Sequence, residues 1–374
     1  MSNIKLSICI PVYNGEKYIG YNLDIMISQI NMHGLHDKVE IIVSDNNSTD
    51  KTADVVHKKM TNCNIIKYYR NEKNLGYYNN MIKLLSYANG EYIHFMGDDD
   101  FYAEGGLIRI LDKLNENYGV LLLGNYFYRN STKQFVKRRE VNPNSFENDL
   151  IIRDANIFKL YILDRDWPVT NLVFNRKKLM NVKIPDELNN NDWIHIYWLL
   201  YVAIHSEKNF FFSDDNPIVC NRVDVQTWLN RKRGAKIYYN NILVSSYSTK
   251  LGYDPIVFTS YKIWFIKNRL QNIKYTSPDN IKDKILFIIK YLKILGMRNY
   301  CICFYICIMF PIMKRFFYFS PNHIWIKLFG IKMSFKLHED LTWPDVDEKQ
   351  VSIFKRERRA YLRPHKPASR AKIK

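Results

Sequence analysis

Residues 91–100 read Glu-Tyr-Ile-His-Phe-Met-Gly-Asp-Asp-Asp. The apolar run Tyr92 to Met96 stops abruptly at a glycine and three carboxylates, the profile of a buried strand emerging at its carboxyl end. A lone acidic run is ordinarily a solvated turn. Directly after a buried strand it falls where open α/β sheets bind their ligands. Three adjacent carboxylates at such a place repel one another unless a cation is present, and oxygen donors favour Mg2+ or Mn2+. A divalent ion is therefore implied.

Upstream, the same pattern repeats. Leu6 to Val12 is an apolar run ending in Pro11-Val12-Tyr13-Asn14-Gly15-Glu16, with a helical pattern from about Glu16 to Ile30. Val39 to Val43 ends in Ser44-Asp45-Asn46-Asn47-Ser48-Thr49-Asp50, whose side chains suit the start of a helix near Thr49. Ile65 to Tyr69 leads through Arg70-Asn71 and Asn74-Leu75-Gly76 into a helix ending near Asn89-Gly90. Alternating strands and helices over the first hundred residues predict an α/β fold with a parallel, doubly wound sheet. Its four strand ends converge on one crevice. Asp45 can accept from a base N–H there, and Arg70 offers a planar fork to a base or a phosphate. That combination suits a nucleotide.

Beyond Asp100 the alternation weakens and the sheet is expected to become mixed. The pattern predicts helices over Glu104 to Asn117, Ile151 to Leu163 and Asn191 to Ser206, a polar strand pair over Tyr126 to Arg138, and strands near Val120 to Leu123, Thr170 to Phe174, Phe210 to Phe212 and Ile218 to Cys220. One domain closes near residue 234.

The 374 residues carry a formal charge of +18, unevenly distributed. Residues 1–234 hold 29 Lys/Arg against 28 Asp/Glu, and residues 235–374 hold 26 against 9. A neutral front part suits a small-molecule site; a basic, aromatic rear part suits an anionic membrane surface. The rear reads as mostly helical over 235–350, followed by a basic tail at 351–374 expected to be disordered. Its apolar run from Tyr300 to Met313 is shorter than the roughly 20 residues a spanning helix needs and holds Pro311, so a monotopic contact is the expectation and a buried core helix the alternative. Cys301, Cys303 and Cys307 have no partner pair or His nearby and read as apolar thiols. No secretory leader is evident, so a cytoplasmic location on the inner membrane face is expected. No nucleic-acid motif is present, and the oligomeric state is not legible.

The segments SICIPVYNGEKYI, EIIVSDNNSTDKT, RNEKNLGYYNN, ANGEYIHFMGDDD and NNNDW, in this order and spacing from Leu6 to Arg222, resemble the family-2 glycosyltransferases with the GT-A fold. The Gly-Asp-Asp-Asp form with Asn74-Leu75-Gly76 and Asn80 looks like the abequosyltransferase-like branch of O-antigen assembly. The resemblance implies a nucleoside-diphosphate sugar donor and a glycan acceptor, expected to be lipid-linked. It places Pro11, Tyr13, Glu16, Asp45, Asn47 and Arg70 around the nucleoside, Asp98 near the ribose, Asp99 as the metal ligand and Asp100 as a second contact. Gly97 stands where many relatives carry Asp, so the ligand assignment within the triplet stays open. Asp192 occupies the place of the general base and Asn191 that of a Glu common in relatives; without the resemblance Asp192 reads as a helix cap. Arg222 and Trp228 are candidates for the diphosphate or acceptor, or for a surface loop. Two other readings are a sugar nucleotidyltransferase, which calls for a glycine-rich phosphate loop after the first strand, and a non-catalytic membrane-associated scaffold.

Overall fold

β1 (Leu6–Val12) and β2 (Val39–Asp45) are buried along nearly their whole length, as parallel strands covered on both faces must be. The computed structural model describes residues 4–61, 63–137, 148–162, 167–223, 240–255 and 258, together with the backbone of three strands between Phe317 and Lys336. Between β1 and β2 runs α1 (Ile19–His33), whose Ile19, Leu23, Met26 and Ile30 recur at helical spacing and are all buried. It ends at Gly34, whose φ of 60° turns the chain so that the next amide, Leu35 N, reaches back to Ile30 O at 3.0 Å. α2 (Thr52–Met60), β3 (Ile66–Arg70), α3 (Gly76–Tyr87) and β4 (Tyr92–Phe95) complete the parallel part.

The chain continues through β5 (Phe101–Tyr102), α4 (Gly106–Leu114), β6 (Val120–Leu122), β7 (Asn125–Arg129), β8 (Gln134–Lys137), β9 (Leu150–Ile152), α5 (Ala155–Ile162), β10 (Leu172–Asn175), α6 (Arg176–Met180), α7 (Ile194–Ile204), β11 (Asn209–Phe211) and β12 (Val219–Val223). The main sheet has the order β3-β2-β1-β4-β10-β6-β11-β9, and a smaller sheet has the order β5-β12-β7-β8. β10 enters antiparallel between β4 and β6, so the large sheet is mixed. Strand alternation divides the core between its faces. Cys9, Ile42 and Phe95 pack with α3 and α7, whereas Ile8, Ile10, Ile41 and Val43 pack with α1 and α4.

Several elements differ from the sequence reading. Ile151 and Ile152 belong to strand β9, because the β11 edge offers a partner that helical periodicity does not reveal. β5 was not expected; its two residues exist as a strand only through pairing with β12. The first compact unit takes in the described residues through Tyr253. Val244, Tyr247 and Tyr253 are buried in the same core as α7, and the Tyr253 hydroxyl donates to Leu200 O at 2.7 Å. In the second unit the described residues include the antiparallel strands β13 (Phe317–Ser320), β14 (His323–Leu328) and β15 (Ile331–Lys336). Runs such as His-Ile-Trp-Ile-Lys-Leu are rich in the β-branched and aromatic residues that suit strands. Residues 285–295, 300–313 and 351–374 lie outside the described residues. Among the described residues no helix is long and apolar enough to cross a membrane.

One buried acid ties the opposite end of the sheet together. Glu40 is 3% exposed and accepts from Ser7 Oγ at 2.6 Å, Lys67 Nζ at 2.7 Å and Asn89 N at 2.7 Å. Burial alone would raise its pKa, but these donors and the Lys67 charge hold it below the ordinary 4.5. A depressed carboxylate stabilises the fold above its unfolded value and loses that effect as pH falls through the folded one. Glu40→Gln is therefore expected to cost about 1 to 3 kcal/mol at neutral pH, with the denaturant melts of parent and variant converging below about pH 4.5. Melts separated equally at every pH would contradict the assignment.

Candidate active site

β1 pairs with β2 from Leu6↔Val39 to Val12↔Asp45, but with β4 only as far as Cys9↔Phe95. The main sheet therefore opens between β1 and β4 at its carboxyl edge, beside the point where strand order reverses. Pro11 lies in this opening. Cys9 O accepts from Met96 N on the β4 side, and Val12 O accepts from Asn46 N on the β2 side. By alternation the Pro11 nitrogen faces β4 beyond its last pair, where a missing N–H costs no ladder bond.

The loops after β1 and β2 are stitched to each other. Asn14 N donates to Ser48 Oγ, Gly15 N to Thr52 Oγ1 and Glu16 N to Asp50 Oδ2, at 2.9 to 3.1 Å. Asn14 Oδ1 accepts from Thr49 N at 2.8 Å, and Glu16 Oε2 accepts from Lys51 N at 2.9 Å. Asn14 and Asn47 take positive φ of 57° and 64°, which asparagine tolerates better than most residues. Asp45 is fully buried: Oδ1 accepts from Ser48 N at 2.7 Å, and Oδ2 accepts from Tyr68 OH at 2.5 Å and Arg70 Nη1 at 3.2 Å. Arg70 also donates to Asn47 Oδ1 and Ser48 O while its side chain stays 41% exposed. Tyr13 is 48% exposed. The surface this rim offers is thus Tyr13, Asn47 and Arg70, and Asp45 acts on it through the arginine it holds.

The acidic run is anchored at both ends. Gly97 N donates to Thr170 Oγ1 at 2.9 Å, and Gly97 O accepts from Asn22 Nδ2 at 2.9 Å. At the far end Asp100 Oδ2 accepts from Thr170 Oγ1 at 2.5 Å and Asn221 Nδ2 at 3.0 Å, while Oδ1 accepts from Arg222 N at 2.8 Å. A Cβ at position 97 would come within 3.1 Å of Asp99 Oδ1 and 3.2 Å of Asp100 Oδ2 and Thr170 Oγ1, so a side chain there would press on the run. Asp98 lies against the first loop, since a Cβ on Gly15 would come within 2.3 Å of its Oδ2.

Burial raises all three carboxyls. Asp98 is pushed up to about 7 by burial and then by the charges of Asp100 and Asp50. Asp99 rises well above the carboxylate range through burial and its two acidic neighbours. Asp100 also rises through burial, against the opposing pull of Thr170, Arg222 and Asn221. Carboxyls held this way fit a cation. Both oxygens of Asp100, the second metal contact on the resemblance, already take protein donors, which leaves Asp98 and Asp99 as the better donor pair. Among the described residues no three His, Cys, Asp or Glu side chains converge as a metal cage. An ion here would complete its shell with water and ligand phosphates, as Mg2+ commonly does.

The loop before α7 is docked on α3. Tyr78 OH donates to Asn189 Oδ1 at 3.1 Å, and Asn79 Nδ2 donates to Asn190 Oδ1 at 3.2 Å. Asn191 is buried; its Oδ1 accepts from Trp193 N at 2.8 Å and its Nδ2 donates to Asn240 O at 3.3 Å. Asn191 thus braces the turn that leads into α7, whose N-cap residue is Trp193 and whose first turn has no side-chain cap, so Asp192 is not a helix cap. Asp192 itself is half-buried near Tyr77, whose phenol is raised by burial and then by the Asp192 charge.

Residues 7–182 match the family described as Glycosyl transferase family 2. The chain carries a family-2 glycosyltransferase domain. A GalNAc(5)-diNAcBac-PP-undecaprenol beta-1,3-glucosyltransferase of Campylobacter jejuni is 27% identical over 248 residues, covering 64% of this chain and 76% of the relative. Abequosyltransferase RfbV of Salmonella typhimurium is 34% identical over 118 residues, which is 31% of this chain and 34% of the relative. The crystal structure of S. aureus TarS 1–349 in complex with UDP-GlcNAc aligns with a TM-score of 0.60 at 17% identity, covering 92% of this chain and all of that one. At that identity the likeness is one of fold.

The glycosyltransferase domain also uses residues that sequence reasoning missed. Thr170 joins Gly97 to Asp100. His94, buried and lowered to about 4 by burial, is neutral; its Nε2 donates to Thr170 O at 2.7 Å and its Nδ1 accepts from Tyr102 OH at 2.6 Å. Asn22 and Asn221 complete the frame. Each is a single residue meeting the run across the fold, and no local motif marks it. Arg222 is only 7% exposed, which removes the surface-loop reading. His195, left without a role by sequence, is buried beside Trp167 O at 3.1 Å. Trp228 lies outside the described residues.

Gly15→Ala tests the contact between the first loop and the acidic run. The added methyl would meet Asp98 Oδ2 at 2.3 Å, the end of a movable side chain, and the buried Val12 Cγ2 at 2.6 Å, so activity should fall together with some stability. Donor kcat/KM is expected to drop about tenfold or more, equivalent to ~1.4 kcal/mol, with a cooperative melt retained. Parental kinetics would contradict the close approach.

Proposed function

We propose that this protein transfers a sugar from a nucleoside-diphosphate donor to a hydroxyl of a glycan acceptor, with inversion and with Asp192 as general base. The observation that carries this reading is the crevice at the β1/β4 opening, where the rim of Tyr13, Asn47 and Arg70 meets a partly buried acidic run of raised carboxyls. Tyr13 offers a ring to the base, and Arg70, held by Asp45, offers its outer donors to the nucleotide. Asp98 would face the ribose, and Asp99, with Asp98 beside it, would hold Mg2+ or Mn2+. Bound there, the ion would neutralise the charge of the diphosphate. Asp192 takes the proton of the acceptor hydroxyl as its oxygen bonds to the anomeric carbon and the bond to the diphosphate breaks. Docking of residues 189–190 on α3 holds that carboxylate in place.

A lipid-linked acceptor is supported by the name of the Campylobacter relative, a transferase acting on a polyprenyl diphosphate glycan. The basic rear part supports attachment to an anionic membrane face. A sugar nucleotidyltransferase is disfavoured by the first loop. The amides of Asn14, Gly15 and Glu16, which a phosphate-binding turn would present to its ligand, are already bonded to Ser48, Thr52 and Asp50.

The reading is tested by screening nucleotide sugars for metal-dependent release of nucleoside diphosphate. Asp99→Ala and Asp192→Asn should each lower transfer by about a hundredfold or more without unfolding the protein. Full transfer by Asp192→Asn would remove it as the base, and full transfer by Asp99→Ala would remove it as the metal ligand. Full-length protein should also sediment with phosphatidylglycerol vesicles at low salt and leave them at high salt. Indifference to the vesicles would end the membrane assignment.

A further inference from the structure

We propose that Arg222 is the positioning residue of the acidic run, a buried cation that sets the backbone from which Asp98 and Asp99 project. This rests on the sugar-transfer reading and deepens it.

The guanidinium carbon lies 5.0 Å from the ring centre of Tyr18, 5.5 Å from Tyr21, 5.4 Å from Phe101 and 5.3 Å from Tyr128. Four rings around one cation form a cage whose quadrupoles offset part of the cost of burying the charge. From inside it, Nε donates to the Asp99 carbonyl at 2.8 Å and Nη1 to Asn130 Oδ1 at 2.8 Å. The Arg222 main-chain amide holds Asp100 Oδ1, and the adjacent Asn221 holds Oδ2. One dipeptide of β12 thus grips two consecutive residues of the run by backbone and side chain.

The grip is directional. β12 pairs with β5 through Cys220↔Phe101 and with β7 through Arg222↔Tyr128, so the cage is built from the strands that bracket the end of the run. On the other side, α1 and the residue before it supply Tyr18 and Tyr21 to the cage, and Asn22 to Gly97 O. Asp98 and Asp99 are left as a two-residue span between the Gly97 and Asp100 anchors. A lysine would keep the charge but lack the planar fork that reaches Asp99 O and Asn130 together.

Full-length Arg222→Lys is the test. Its melt should remain cooperative, with kcat lowered about tenfold to a hundredfold and donor KM within about threefold of parent. Mn2+ affinity, read by electron paramagnetic resonance with nucleoside diphosphate present, should weaken severalfold, a readout that a merely structural residue would leave unmoved. Turnover within about twofold of parent and unchanged Mn2+ binding would overturn the proposal. Should Arg222→Lys fail to fold, Tyr21→Leu removes the half-exposed wall of the cage. The same two losses, smaller in size, are then expected, and parental values overturn the idea. A parent that binds Mn2+ with nucleoside diphosphate but releases none from any sugar donor defeats the transfer reading alone, and the resonance comparison still judges Arg222. A parent that does neither overturns both.

Discussion

Three carboxylates at the end of one buried strand are the constraint around which the front unit is arranged. Left alone, Asp98, Asp99 and Asp100 would separate or take up protons, because burial and mutual repulsion both oppose their charge. The fold answers by treating them unequally. Asp100 is saturated with donors from Thr170, Asn221 and Arg222, so its negative charge is absorbed within the protein. The other two keep their electrostatic demand, which a cation and its phosphate ligands can meet. Division of labour within the triplet, more than its length, makes it a site.

Maintaining that inequality requires contacts from distant parts of the chain. Thr170 precedes an antiparallel strand inserted beside β4, and His94, on β4 itself, holds its carbonyl in a fixed tautomeric pair with Tyr102. Asn22 comes from α1 and Arg222 from the smaller sheet. The mixed half of the fold is therefore more than an extension of the parallel half. Insertion of β10 delivers Thr170, and the β5–β12 pairing delivers Asn221 and Arg222.

How much of this was legible follows from the range of each interaction. The strand–loop–helix units up to Asp100 announce themselves because burial on both faces demands continuous apolar runs, and turns demand Asn, Gly and Asp. The convergence of four polar strand ends follows from parallel topology alone. Roles within the crevice were less legible, since a carboxylate's neighbours across the sheet do not appear in its own segment. Asp45 reads as a ligand acceptor until Tyr68 and Arg70 are seen on its oxygens. Arg222 reads as a diphosphate contact or a loop residue until four rings are seen around it. Strands as short as β5 and β9 exist only through their partners, so no periodicity encodes them.

The Asn191-Asp192 pair carries the same logic to the loop docked on α3. A Glu at 191, common among relatives on the resemblance, would here place a second charge in a buried position facing the Asn240 carbonyl and the Trp193 amide. One of those groups donates and the other accepts; a neutral amide side chain satisfies both at once, which an ionised Glu, an acceptor only, cannot do. Asparagine at 191 is thus what allows the loop to close over the core with one carboxylate beside it. That carboxylate is half-buried next to a tyrosine whose hydroxyl already feels its charge. Its side chain keeps some access to solvent while the loop around it is fixed to α3 by Asn189 and Asn190.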